Sequence, residues 1–129
     1  MTYYISKTVG LTFDDAIDAV QAALKDEGFG ILTEIDVAAT MKKKLDLDYP
    51  AYRILGACNP PFAHKALSLE NKIGTMLPCN VIVRDQGDGK IEVAAVDPAA
   101  SMQAVENEEL SAVAGEVRAK LQRVIDALD

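Results

Sequence analysis

The chain has 129 residues and a mass of 13.9 kDa, the size of one ordinary domain with a single core. It is 50% hydrophobic and 26% charged, a globular rather than a disordered composition. Its net charge is -7, with 13 basic residues scattered among 20 acidic ones, which argues against nucleic acid or an anionic membrane as a partner.

In chain order, residues 3–9 (YYISKTV) alternate and are rich in β-branched and aromatic types, so they predict a strand. Thr12 is placed to cap a helix whose apolar residues Phe13, Ile17, Val20 and Leu24 recur at spacings of three and four. Gly28 suits its end. A second strand, 29–35, puts Phe29, Ile31, Thr33 and Ile35 on one face and Leu32 with Glu34 on the other. Asp36 can cap a short helix with Val37, Met41 and Leu45 on its apolar side. Its Lys42-Lys43-Lys44 run reads as a solvated face.

A third strand spans 51–58. A helix over 60–73 follows, with Asn59 as N-cap, Pro60 at the first position, Gly74 as the stop and Phe62, Ala66, Leu69 and Ile73 as the buried stripe. Strands 79–85 and 90–96 flank Asp88-Gly89, a strong hairpin signal. Asp97-Pro98 starts a short helical piece. Asn107 can cap a last helix with apolar positions Leu110, Val113, Val117, Leu121, Val124 and Leu128. The pattern predicts one α+β domain over 1–129. It has a largely antiparallel five-stranded sheet, two long helices on one face and two short inserted helices. The third and fourth strands are apolar on both faces. The second face of the sheet therefore needs a cover, either the inserted helices or a second copy of the chain.

The two cysteines, Cys58 and Cys79, each precede an asparagine and bracket the 60–73 helix. Antiparallel neighbouring strands would bring the thiols together at one sheet end; parallel strands would hold them about 20 Å apart. A helix N-terminus aimed at Cys58 would favour a thiolate or a bound anion there. Free cysteine is also among the most buried residue types, and both thiols can be plain core residues. The single histidine, His64, falls off the buried stripe and reads as solvated, so no metal set is expected. Glu34, if buried, would be a candidate acid or base. No GxGxxG, P-loop, HExxH or GxSxG is present, and no cofactor is implied.

The segments GFGILTEIDV (28–37), YRILGACNPPFAHKAL (52–67), IGTMLPCNVIVRD (73–85) and VAAVDP (93–98) resemble the Domain of Unknown Function 302 family along essentially the whole chain. The resemblance implies a β-α-β(4)-α fold of the TATA-binding-protein-like type and homodimers. It carries no established reaction. It places strand-end residues Glu34, Tyr52, Arg53, Cys58, Asn59, Cys79 and Asn80 where they could share one ligand pocket.

The expected protein is cytoplasmic, because no secretory signal or membrane-length apolar run is visible, and homodimeric, because one sheet face needs a cover. Its expected role is accessory binding of a small ligand or anion. The alternatives are a thiol redox or sulfur-transfer enzyme using Cys58 and Cys79, and a purely structural or interaction module.

Overall fold

In the computed structural model, which describes residues 2–129, the elements run in the order the sequence predicts. They are β1 (Tyr4–Val9), α1 (Phe13–Asp26), β2 (Gly30–Asp36), α2 (Val37–Leu45), β3 (Tyr52–Cys58) and α3 (Pro60–Leu69). A 3-10 turn (Ile73–Met76), β4 (Cys79–Gly87), β5 (Lys90–Val96), α4 (Pro98–Ser101) and α5 (Glu108–Asp126) complete the chain. No helix among the described residues is long and apolar enough to cross a membrane.

The sheet has the order β1-β5-β4-β3-β2, with every neighbour antiparallel. Each strand's alternation decides which side meets the helices. Leu55, Val81, Ala95 and Ile5 form one cross-strand row, and all four are buried. The apolar stripe of α5 is buried throughout, from Leu110 to Val124, as are Leu128 just past its end and Ile17, Val20 and Leu24 of α1. Both long helices therefore cover the same face. Removing some 25 cal/mol of unfavourable hydration per Å2 of apolar surface is what fixes them there.

The helix starts follow from their capping residues. Thr12 Oγ1 accepts from Asp15 N at 3.1 Å, Asp36 Oδ1 from Ala39 N at 2.9 Å and Asn107 Oδ1 from Leu110 N at 3.1 Å. In the hairpin, Asp88 and Gly89 both take positive φ, 59° and 73°, and join Gly87 to Lys90.

Three expectations change. The helix predicted over 60–73 stops at Leu69, because Asn107 Nδ2 donates to the Leu69 carbonyl and takes the acceptor that another turn would use. Gly74 accordingly lies inside the 3-10 turn and does not end a helix. In β2 a bulge between Ile31 and Thr33 breaks the alternation. Ile31 pairs with Ala57 on the helix side, while Thr33 and Ile35 pair with Gly56 and Ile54 on the opposite side. Finally, α2 buries none of its residues, and Leu45 stays 68% exposed.

The inserted helices do not cover the second sheet face. There the row Ile35–Ile54–Ile82–Ala94 runs across four strands, half-buried or exposed. Gly56 lies on this side and permits a close approach. A Cβ at that position would lie 2.8 Å from Pro78 Cγ and overlap Thr33 Oγ1. The threonine can rotate away, but the proline ring cannot. Gly56→Ala should therefore cost about 1–3 kcal/mol by overpacking. Gly115→Ala, at an exposed position within α5 with nothing near its Cβ, should gain about 0.5–1 kcal/mol. Urea unfolding of the two variants measures both changes.

Candidate functional site

Antiparallel register settles how the two cysteines are related. Cys79 opposes Ala57, so Cys58 is one residue beyond Cys79's cross-strand partner. Both are free thiols; Cys79 is buried and Cys58 half-buried. They line the same pocket of about 360 Å3, which lies over this end of the sheet beneath α3.

The pocket is built from several parts of the chain. Ala57, Cys58 and Cys79 form its strand-end floor, and Phe62, Ala63, Ala66 and Leu67 of α3 form its roof. Leu110, Val113, Ala114 and Val117 of α5 close the back, with Pro98 of α4 and Met102 beside them. Phe29 and Leu32 come from the start of β2, and Gly74, Leu77 and Pro78 from the chain entering β4. Among the described residues, no lining side chain carries a charge, and Asn59 is the only amide side chain. Leu32 and Leu67, 66% and 43% exposed, are among the large apolar side chains the fold leaves in solvent, and both belong to this pocket.

Asn59 does not cap α3 with its side chain as the sequence suggests. Its Nδ2 donates instead to the Glu27 carbonyl at 3.2 Å, tying the start of α3 to the end of α1. Gly28 is next to that contact at φ +85°, and a Cβ there would come within 3.1 Å of Asn59 Nδ2. The Glu27 side chain reaches the other way, to Arg123 of α5 at 3.0 Å. One residue thus joins α1, α3 and α5 behind the pocket.

The N-terminus of α3 is also a poorer anion site than its position implies. Pro60 and Pro61 fill the first two helical positions and carry no N–H, so half the usual free donors are absent. Burial pushes the Cys79 thiol up to about 11, with the neighbouring Cys58 adding to the shift. Cys79 is therefore a neutral thiol near pH 7.

The remaining predicted site residues lie elsewhere. Arg53 is five residues before Cys58 along β3, about 16 Å away at strand rise. Its Nη1 donates to Glu34 Oε1 at 2.6 Å, its Nη2 lies 3.6 Å from Asp36 Oδ2, and its guanidinium stands 5.7 Å from the Phe13 ring centroid. This exposed ion pair staples β2 to β3. Glu34 is consequently not the buried acid or base that its strand position allowed. Tyr52 and Asn80 face the uncovered side of the sheet and line a shallow groove of about 800 Å3 with Tyr4, Ile82, Arg84 and Glu92. Burial, then Tyr49, raises the Tyr52 phenol above its usual range. The seven candidates therefore fall into three places, and only Cys58, Asn59 and Cys79 share the pocket. His64 is exposed, and among the described residues no group of three or more metal-ligating side chains comes together.

Sequence reasoning missed most of the pocket wall. Phe62, Ala66, Leu110, Val113 and Val117 appeared only as helix stripes, which periodicity cannot distinguish from filled core. The signal lay in size: Ala63 and Ala66 give α3 a small-residue underside opposite α5.

The sequence profile of a family described as domain of unknown function DUF302 matches residues 5–128. The chain belongs to this family. A crystal structure of an uncharacterised conserved DUF302 protein from Bacillus stearothermophilus superposes with a TM-score of 0.93 at 25% identity, covering 100% of both chains. No curated protein matches the chain. The family assignment thus agrees with the observed α+β fold and names no reaction.

The thiol geometry predicts two outcomes. Iodoacetamide at pH 8 should modify Cys58 first. Cys79, with only about one molecule in a thousand as thiolate at that pH, should react at least a hundredfold more slowly until the protein unfolds. Peptide mass spectrometry resolves the two rates. Because the folded Cys79 pKa exceeds its ordinary value of 9.0, the folded state holds this proton more tightly than the unfolded chain. Its stabilising contribution is complete below pH 9 and falls by up to about 1.4 kcal/mol per unit as pH rises toward 11. Urea unfolding across that range should show a shallower decline for Cys79→Ala than for the parent protein.

Proposed function

We propose that the protein is a homodimeric small-ligand-binding accessory protein whose site is the pocket between α3, α5 and the Cys58 and Cys79 strand ends. The observation that carries this reading is a concavity of about 360 Å3, within the range of small-molecule sites, at the place where two free thiols meet. The uncovered sheet face supports the dimer. Its apolar row crosses four strands, and Tyr3, Tyr4, Tyr49 and Met76 are exposed large apolar side chains, with Tyr3, Tyr4 and Met76 bordering the groove beside that row. Among the described residues, the charged side chains lining the groove are Arg84 and Glu92, which pair with each other at 2.7 Å. A chain carrying -7 therefore has one nearly neutral face on which two copies can meet without strong repulsion.

A second reading, thiol chemistry with Cys58 as nucleophile and Cys79 as resolving thiol, draws on the same pair. The neutral state of Cys79 works against it, since the thiolate is the attacking species.

Two measurements test the proposal. Light scattering at micromolar concentration should give twice the chain mass of 13.9 kDa, and Ile82→Glu should return the protein to a single chain. A thermal-shift screen of small molecules should find ligands that raise the midpoint by several degrees. A ligand at a hundred times its Kd adds about 2.7 kcal/mol of stability. A chain that stays monomeric refutes the dimer, and a protein that no compound stabilises refutes the binding role.

A further inference from the structure

Resting on the binding role just proposed, the pocket's wall chemistry narrows what it can hold. We infer that it takes an uncharged, apolar molecule with a body of roughly ten to fifteen carbon atoms, and that it rejects anions. The lining contains no cationic or anionic side chain. A charge brought into such a site loses its water and finds no counter-charge, so its entry is strongly disfavoured. Few polar donors nearby are left to receive an anion. Asn59 Nδ2 is engaged by the Glu27 carbonyl, Cys79 carries its proton, and the first two residues of α3 are prolines without N–H groups. The usual route by which a helix start captures a phosphate or carboxylate is thereby weakened.

Size supplies the second constraint. An apolar cavity of about 150 Å3 is known to admit benzene and to stay dry otherwise. A pocket of about 360 Å3 is more than twice that, which suits two fused rings or a medium-length hydrocarbon chain. Leu32 and Leu67 extend the apolar surface out to solvent, where a hydrocarbon would first be met. Half-buried Cys58 is also on the wall and would be shielded by an occupant.

The test uses the intact protein and N-phenyl-1-naphthylamine, a neutral apolar fluorophore. Its emission should rise with a saturable isotherm of one site per chain. At pH 8, 1-decanol should displace it at concentrations at least tenfold below those of decanoate, and inorganic phosphate should not compete. Decanol should also slow alkylation of Cys58 at least fivefold, a readout that needs no variant. Ala63→Phe, which places a ring in the pocket from a half-buried position, should weaken fluorophore binding at least tenfold with its circular dichroism unchanged. Tighter binding of decanoate or phosphate than of decanol would overturn the neutral-ligand assignment and leave the binding site standing. Saturable binding that neither protects Cys58 nor responds to Ala63→Phe would place the hydrocarbon elsewhere and overturn the inference. If no probe binds and Cys58 is never protected, the inference and the binding role fall together.

Discussion

The pairing of β3 with β4 is the constraint on which the rest of this molecule depends. Because Ala57 opposes Cys79, the chain leaves β3 and re-enters β4 at the same end of the sheet. The residues between must rise, travel and return within that small footprint. They do so as α3, a bend and a 3-10 turn, supported by α5 and by the end of α1. The helical arch rests on α5 partly through Ala66, which is buried, while its neighbours leave space above the strand ends. The pocket is thus a consequence of topology combined with small side chains. An ordinary β3–β4 hairpin could not have formed it.

Much of this was legible in the sequence, for identifiable reasons. The α5 stripe repeats over five turns without interruption, and the capping roles of Thr12, Asp36 and Asn107 are local chemistry that needs no tertiary information. The hairpin at Asp88-Gly89 is equally local. What failed was decided at a distance. Asn59 has the right type and position for a cap, yet a carbonyl 32 residues away claims its amide. The end of α3 was set by Asn107, 38 residues later in the chain. In β2 a single bulged residue reversed the facing of everything beyond it, so Glu34 and Ile35 exchanged the sides that simple alternation assigned them.

The candidate site was legible only in part because strand ends look alike in one dimension. Arg53 and Cys58 share a strand, but they stand at its opposite ends. Tyr52 and Arg53 are adjacent in sequence and face opposite sides of the sheet. A list of strand residues therefore mixed an ion-pair staple, an uncovered sheet face and a pocket wall. Only the residues beside α3 belong together, and the feature that joins them is lack of charge. Two prolines at the helix start sharpen that character by removing donors that another sequence would have supplied.

The two asparagines that bracket α3 have a mechanical effect as well as a bonding one. At one end Asn59 is held by the Glu27 carbonyl, and at the other the Leu69 carbonyl is held by Asn107, whose own oxygen caps α5. The helix is thus a short beam fixed at both ends to the two long helices that carry the core. A beam so mounted keeps a constant height above the strands. That clearance is set by where its supports are anchored and by the small side chains Ala63 and Ala66 on its underside, not by the looseness of a surface loop.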